Sequence, residues 1–384
     1  MTTIWIFART LGYPEGGGHF WVYLNWALGF KECGCRVVWL EMVGRERETH
    51  IIRAKLHQLR QKLARYGLSA TALCGGDGKP LPEESDLNVV PLSSARDADL
   101  LVNLSYEAPE ALLSRFRCSS MIDIDPGLTQ VWVSSGHLSL PRCDYYFTIG
   151  ETVGTPSALF PDCGVRWVFT PPCVSLQFWP VRPVPENERF TTVSHWYARE
   201  WIGDGESGYD NSKRAGFLPC LSLPRRTKAK LELALNLGGD EEERAELERL
   251  GWSVVDSGRV ASTPEDYQAY IQSSRAEFSC VKPSCVRLQN AWISDRTLCY
   301  LASGRPAVIE NTGPSALLPD AKGLLRFRDI DEAVERLHAV ETDYSLHACA
   351  ARSLAEEHFD AKKVAGKLLR HVMGTSDSGA ASRS

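Results

Sequence analysis

Residues 278–313 read FSCVKPSCVRLQNAWISDRTLCYLASGRPAVIENTG, and this stretch decides the fold. A strand ends just after Phe278, and a loop carrying Lys282 and Arg287 follows it. A helix is expected to open near Ser294, with Gly304-Arg305-Pro306 closing it. Ala307, Val308 and Ile309 form the short apolar run of a second buried strand, and a polar turn through Thr312 and Gly313 comes next. Both strand ends carry polar residues, with the helix start between them. In an open parallel sheet such positions converge on one edge, where ligands bind outside the carboxyl ends of the strands. The stretch therefore predicts a pocket for an anionic ligand in the second half of a two-domain chain.

Outward from it, the same alternation recurs. Phe190–Val193 and Trp252–Asp256 are expected strands, with a polar loop from Ser194 to Asn211. A helix-like or extended stretch follows through Lys213, Arg214 and Phe217. Leu231–Leu237 and Asp240–Leu250 are expected helices, the latter with capping-box spacing between Asp240 and Glu243. Thr263-Pro264 starts another, since a hydroxyl can cap it and proline is tolerated in the first turn. Gly323–Phe327 predicts a strand, Asp329–Val340 a capped helix, and Tyr344–Val372 a helix interrupted around Phe359-Asp360. Residues 374–384 are small and polar and are expected to form a flexible tail.

The first half opens with a strand at Thr3–Ala8, a Gly-rich loop, a helix from His19 to Glu32 and a strand at Arg36–Leu40, which is a βαβ start. That helix is apolar around much of its circumference and is expected to be well buried. Between Glu48 and Leu68, Ile52, Leu56, Leu59, Leu63 and Tyr66 recur at helical spacing among Arg53, Lys55, Arg60, Lys62 and Arg65. This basic amphipathic helix fits a solvated face over a packed stripe, or a surface for an anionic acceptor or another protein. Residues 73–86 read as a loop. Strands are expected at Asn88–Pro91, Leu100–Asn103, Met121–Ile124, Tyr145–Ile149 and Arg166–Thr170, with a short helix at Pro109–Phe116. The prolines at 171, 172, 180, 183 and 185 mark a boundary. The expected fold class is α/β, with domains at 1–180 and 181–350, a helical segment at 351–373 that crosses back to the first domain, and the tail.

A chain of 384 residues, 43% of them hydrophobic, is long enough for two cores. Its formal charge of -5 gives no global attraction to nucleic acid or anionic lipid, although a local groove can still be basic. The 12 cysteines are scattered, without a CxxC pair, which favours reduced thiols and a cytoplasmic location. The start, MTTIWIFAR, lacks the pattern of a signal peptide, and no apolar stretch approaches the roughly 20 residues of a membrane span.

Several residues carry chemistry. In PEGGGH, Gly16, Gly17 and Gly18 let backbone amides approach a ligand at a helix start, although the pattern is neither GxGxxG nor a P-loop, and a tight turn explains it equally. His19 suits a base or a hydroxyl partner, or a packed capping histidine. Asp123 and Asp125 in MIDIDPG are candidates for orienting an acceptor hydroxyl, with metal chelation the weaker reading, and no metal is expected. Glu107 is a further carboxylate candidate. On the other half, Lys213, Arg214, Lys282 and Arg287 can neutralise a diphosphate, Ser294 and Thr312 can donate to its oxygens, and Asp295 can accept sugar hydroxyls. His195, at an expected strand end, is another pocket candidate.

The chain resembles the GT-B glycosyltransferases over most of its length, above all in WISDRTLCYLASGRPAVIENTG, with support from Gly16–His19 and the final helices. The resemblance is to a bacterial nucleotide-sugar-dependent branch with a GT4-like carboxyl-terminal domain. It implies two Rossmann-like domains facing across a cleft, an acceptor-binding first domain and a donor-binding second domain. It places His19 in the acceptor-side loop, Asp295 on the donor-side helix, and Thr312 and Gly313 near the donor's phosphates or sugar. The implied activity is transfer of a sugar from a nucleoside-diphosphate donor, a UDP-sugar foremost, to a hydroxyl-bearing small-molecule or macromolecular acceptor, with no tightly bound cofactor. DNA as the acceptor is disfavoured by the overall acidity. A nucleotide-sugar epimerase or hydrolase, or a noncatalytic sugar-nucleotide-binding protein, are the alternatives. One departure stands out: Ala291 and Cys299 occupy the places of the two glutamates found in many retaining members.

Overall fold

The computed structural model describes residues 1–44, 48–82, 84–183, 189–198, 201–202, 208–318 and 322–379. It separates into two compact units. One comprises Met1–Ile149, Pro161–Ser175 and the chain from Asp360 onward; the other comprises Gly150–Phe160 and Leu176–Phe359.

The first unit runs β1 (Thr3–Ala8), α1 (Gly17–Glu32), β2 (Arg36–Met42), α2 (Thr49–Ala64), β3 (Ala70–Cys74), β4 (Leu100–Asn103), α3 (Glu110–Leu113), β5 (Ser119–Asp123), α4 (Leu128–Ser134), β6 (Tyr145–Thr148) and β7 (Trp167–Phe169). All seven strands are parallel, in the order β3-β2-β1-β4-β5-β6-β7. One face packs Trp5, Phe7, Val38, Leu40 and Leu101 against Leu112 and Phe116. The apolar circumference of α1 has a direct cause. The helix buries Phe20, Trp21, Leu24, Trp26, Leu28 and Phe30 on more than one side, because it packs against the chain's last helix as well as the sheet.

The second unit runs β8 (Arg189–His195), the short pair β9 (Trp201–Ile202) and β10 (Tyr209–Asp210), α5 (Lys213–Phe217), β11 (Lys230–Asn236), α6 (Glu241–Arg249), β12 (Ser253–Asp256), α7 (Ser257–Val260), α8 (Pro264–Ser273), β13 (Ala276–Ser279), α9 (Pro283–Leu288), α10 (Asp295–Ala302), β14 (Ala307–Glu310), β15 (Leu324–Phe327), α11 (Ile330–Thr342) and α12 (Tyr344–Leu354). Its main sheet is parallel, in the order β12-β11-β8-β13-β14-β15. Phe190, Phe217, Leu233, Phe278, Val308 and Phe327 are buried in its core. A π-helical turn at Ala355–Phe359 then leads into α13 (Ala361–Gly379), which belongs to the first unit.

The α/β expectation holds, and several local expectations do not. Leu231–Leu237 was expected to be helical, yet Lys230–Asn236 is β11, paired on both sides; a short, fully buried strand lacks the alternation that would separate it from a helix. Ala70–Cys74 is a strand where a loop was expected from residue 73. Asn88–Pro91 forms no strand; Val90 N–H makes one bond to Thr71 O at 2.8 Å before a 3-10 turn at Leu92–Asp97. Pro283–Leu288 is helical within the expected loop. α13 runs to Gly379 through part of the expected tail, whose residues 380–384 lie outside the described residues. The expected Ser194–Asn211 loop contains β9 and β10, and its residues 199–200 and 203–207 lie outside the described residues, as does Pro185 of the proline-rich boundary.

Candidate functional site

In the second unit the strand order reverses at β8, which lies between β11 and β13. Successive crossovers leave a crevice at such a switch point, at the carboxyl ends of the strands. His195 ends β8, Lys282 follows β13, Glu310 ends β14, and Lys213 begins α5 after its Ser212 cap, whose hydroxyl accepts from Ala215 N–H at 3.2 Å.

Lys213 Nζ donates to Cys280 O at 2.8 Å. Burial, then the charges of Arg296 and Lys282, push its ammonium down to about 8. The same Lys282 charge, added to burial, lowers His195, which favours the neutral imidazole. Glu310 accepts Val281 N–H at 2.9 Å; burial raises its carboxyl, and the backbone bond and the Lys213 charge oppose that rise. Lys213, Lys282, His195 and Glu310 thus influence one another's charge at the carboxyl edge of this sheet. Asn211 Oδ1 accepts Ser284 N–H at 2.9 Å, fixing the segment before α5 to α9.

The helix start expected near Ser294 is present: Ser294 caps α10, its hydroxyl accepting from Arg296 N–H at 3.2 Å, and Asp295 is the first helical residue. Arg296 clamps the edge from below. Its guanidinium donates to Glu277 Oε1 at 2.8 Å, Val193 O at 2.9 Å and Ser279 Oγ at 2.6 Å, joining α10 to β8 and β13. Thr312 is buried and donates its hydroxyl to Trp292 O at 2.7 Å, while its carbonyl accepts from Ala291 N–H at 2.9 Å. That hydroxyl proton holds the turn. Gly313 has φ +125°, donates to Asn311 Oδ1 at 2.8 Å, and presents its carbonyl to Arg326 Nη1 at 2.8 Å.

Two of the expected cations are engaged elsewhere. Arg214 Nε pairs with Glu243 Oε1 at 2.7 Å, and the Arg287 guanidinium lies 3.9 Å from the centre of the Tyr209 ring. Cys299 is buried within α10, and Ala291 is buried with φ +55°, so neither offers a carboxylate to the crevice.

The first unit has its own switch point, between β1 and β4. Arg9 follows β1, and its guanidinium pairs with Glu107 at 2.6 Å. His19 Nε2 lies 3.0 Å from Arg9 O; a carbonyl only accepts, so the proton sits on Nε2 in the neutral ring and Nδ1 is its acceptor. The rings of Tyr13 and Tyr23 flank His19, with centroids 5.8 and 5.2 Å away. The helix begins at Gly17, with Gly16 as its cap; Gly16 N–H donates to Tyr13 O at 3.2 Å, and Lys62 Nζ donates to Pro14 O at 2.6 Å. Gly18 lies in the first turn.

Glu41, at the end of β2, is buried and accepts from Thr10 N–H (2.9 Å), Leu11 N–H (3.2 Å), Trp39 Nε1 (2.8 Å) and the Thr10 hydroxyl. Burial still drives its carboxyl upward. Beside it is a cleft of about 230 Å³ lined by Arg9, Leu11, Gly12, Glu41, Ile52 and Lys55, among others.

Asp123 ends β5 and is fully buried. Its carboxylate accepts from Thr129 Oγ1 (2.6 Å), Gln130 Nε2 (2.9 Å), Asp125 N–H (3.1 Å) and Thr148 Oγ1 (3.2 Å), and burial raises its carboxyl to about 6. These bonds shape the turn into α4. Asp125 is only partly buried and accepts from Tyr106 Oη at 3.1 Å. Among the described residues, no group of three or more His, Cys, Asp or Glu is placed to hold a metal.

Glu310, Arg296 and Glu41 were missed by the sequence reading. Glu310 and Glu41 had a signal: each is an acid at the carboxyl end of an apolar strand run, where only a partnered charge is tolerated. Arg296 had none beyond its place in the first helical turn.

No protein-family model matches the chain, and no curated protein matches its sequence. Solved structures do match in fold. Anabaena Alr3699/HepE, solved in complex with UDP and glucose, is 12% identical with a TM-score of 0.59, over 97% of this chain and 100% of that one. An alpha-glucosyltransferase in complex with UDP and a 13-mer DNA is 12% identical with a TM-score of 0.60, over 97% and 99%. Sucrose-phosphate synthase from Thermosynechococcus elongatus is 10% identical with a TM-score of 0.55, over 98% and 100%. No helix among the described residues is long and apolar enough to cross a membrane. Two parallel-sheet units and these likenesses along nearly the whole chain give the protein the GT-B glycosyltransferase fold, built from two Rossmann-like domains.

Proposed function

We propose that the protein is a glycosyltransferase that moves a sugar from a nucleoside-diphosphate donor, a UDP-sugar, to a hydroxyl-bearing acceptor. The observation that carries this reading is the placing of Lys213, whose ammonium donates to Cys280 O at 2.8 Å just beyond β13, and of Lys282 two residues further on, at the carboxyl edge of the second unit's sheet where β8 also ends in His195. The Lys282 charge acts against the Lys213 ammonium, and a diphosphate relieves that repulsion. The structures of Anabaena Alr3699/HepE and the alpha-glucosyltransferase with bound UDP support the choice of nucleotide.

In this reading the acceptor oxygen forms a bond to the anomeric carbon while the bond from that carbon to the diphosphate breaks. Lys213 and Lys282 stabilise the negative charge building on the departing diphosphate, beside the turn that Thr312 and Gly313 hold in place, where fixed donors help most. Asp295 accepts hydroxyl bonds from the donor. In the first unit, His19 Nδ1 takes the acceptor proton or orients the hydroxyl, with Asp125 as the accessible carboxylate of MIDIDPG. The second unit belongs, on this reading, with GT4-like donor domains, and Ala291 and Cys299 require donor recognition without their two glutamates.

The test is thermal unfolding with UDP in a chelating buffer. UDP raises the melting temperature of the wild type, and Lys282→Ala removes most of the rise. A wild-type protein indifferent to UDP and to other nucleoside diphosphates overturns the proposal. Mass analysis with a UDP-sugar then separates transfer, which gives acceptor-dependent glycoside, from hydrolysis, which gives free sugar.

A further inference from the structure

The ladder between β13 and β14 ends at Ser279 and Ile309, and the peptide group between Cys280 and Val281 lies beyond it. Both residues are buried, so the carbonyl and the N–H of that group need partners from within the protein. Side chains from two elements supply them. The Lys213 ammonium of α5 donates to Cys280 O at 2.8 Å, and the Glu310 carboxylate, at the end of β14, accepts Val281 N–H at 2.9 Å. One peptide plane thus carries a cation at its oxygen and an anion at its nitrogen. Both bonds are charge-assisted, and each polarises the group in the sense that strengthens the other.

The following residues are anchored as closely. Lys213 and Gly216, three residues apart, share a face of α5. A Cβ on Gly216 would overlap Val281 O, so only glycine lets the helix approach that carbonyl. Asn211 Oδ1 accepts Ser284 N–H at 2.9 Å. Lys282 stands between these anchors with φ -64° and ψ 144°, the extended form favoured before Pro283. The orientation of the Cys280–Val281 plane therefore sets both the seat of the Lys213 ammonium and the direction in which the chain reaches Lys282.

We infer that Glu310 is a positioning residue for the transfer: through the Cys280–Val281 peptide it holds the Lys213 ammonium in place for the donor's diphosphate. The inference rests on the donor reading above and adds to it the residue that keeps Lys213 seated. Two effects act together. The Val281 bond fixes the plane whose oxygen receives the ammonium, and the carboxylate's charge favours ammonium over neutral amine. Burial raises the Glu310 carboxyl, and the Val281 bond and the Lys213 charge bring it back down. Around Lys213, burial, Arg296 of α10 and Lys282 oppose the ammonium, while Cys285 of α9 and Cys280 act in the opposite sense. Glu310 supplies an anion against those two cations.

Calorimetric titration of the full chain with UDP at pH 7 and pH 8 tests this on the wild type, Glu310→Ala and Glu310→Gln. Glu310→Ala removes both acceptor and charge and weakens UDP by roughly 10-fold at pH 7, the scale of one charge-assisted bond. Glu310→Gln keeps an acceptor for Val281 N–H and binds UDP more tightly than Glu310→Ala at pH 7. It nevertheless loses more affinity between pH 7 and pH 8 than the wild type does, because its Lys213 gives up the proton earlier. In a Lys213→Met background, Glu310→Gln adds no pH dependence. A purely structural Glu310 would lower the melting temperature and move neither the UDP affinity of the folded protein nor its pH dependence. Wild-type affinity in Glu310→Ala, or the wild-type change between pH 7 and pH 8 in Glu310→Gln, overturns the inference; if Glu310→Ala does not fold, the Glu310→Gln comparison decides alone. A wild type that does not bind UDP overturns the donor reading, and this inference with it, so the two failures are distinct.

Discussion

The Lys213 ammonium donates to the main-chain carbonyl of Cys280 at 2.8 Å, one residue beyond the end of β13. The bond holds a cation at the carboxyl edge of the sheet, where the strand order reverses, and leaves it in surroundings that favour loss of its proton. With the ammonium at about 8 against an ordinary 10.5, the unfolded chain holds more protons between those values, so this group's contribution to stability rises with pH across that window. Nucleotide binding runs the other way, because a diphosphate needs the charged form. UDP affinity is expected to fall as pH rises through about 8 in the wild type. In Lys213→Met it is lower at neutral pH and nearly flat from pH 7 to 9. Calorimetric titration across that range checks both.

Gly313 holds a conformation that other residues adopt only under strain. A Cβ there would lie 2.7 Å from Gln289 O and 2.8 Å from its carbonyl carbon, and φ is +125°. Gly313→Ala is expected to cost at least about 1–3 kcal/mol in urea unfolding. It also displaces the turn from Asn311 Oδ1 and Arg326, so the UDP thermal shift shrinks with it.

Asp123 separates an organising role from a catalytic one. Asp123→Ala removes an acceptor from the hydroxyls of Thr129 and Thr148, the Gln130 amide and the Asp125 N–H, and should cost about 2–4 kcal/mol. Asp123→Asn keeps one acceptor and costs less. The folded carboxyl lies at about 6 against 3.8, so its stabilising contribution is complete below about 3.8 and is lost as pH rises through about 6. Urea midpoints between pH 4 and 7 should show that decline in the wild type and a weaker one in Asp123→Asn.

The helix-to-helix contact in the first unit depends on Gly29, where a Cβ would lie 2.5 Å from Ala361 O. Gly29→Ala is expected to destabilise by about 1–3 kcal/mol through overpacking, read as a lowered melting temperature in circular dichroism.

The legible parts of the sequence were those where one residue type has one physical use. Ser294, Thr263 and Asp329 announced helix starts, and each side chain accepts the expected backbone bond. The run Ala307–Ile309 announced a buried strand. Leu231–Leu237 misled because leucine fills helix and strand cores alike, and only its pairing with β8 and β12 decides between them. Site chemistry was harder to read, since a cation's role depends on its neighbours. Lys213 and Arg214 are adjacent in the chain, yet one reaches Cys280 and the other is held by Glu243. Thr312 looked like a ligand donor, but its hydroxyl serves Trp292.

The first unit is assembled from stretches far apart in the chain, with α13 lying against α1. On the ribosome, α1 emerges carrying Trp21, Trp26 and Phe30, and its covering partner is translated some 330 residues later (Ala361 against Gly29). Chains elongate at roughly 5–20 residues per second, so this oily surface waits for many seconds without its final neighbour. A released chain truncated before Ala361 should therefore be a client for hydrophobic-binding chaperones, while it contains the whole of the second unit, which ends at Phe359.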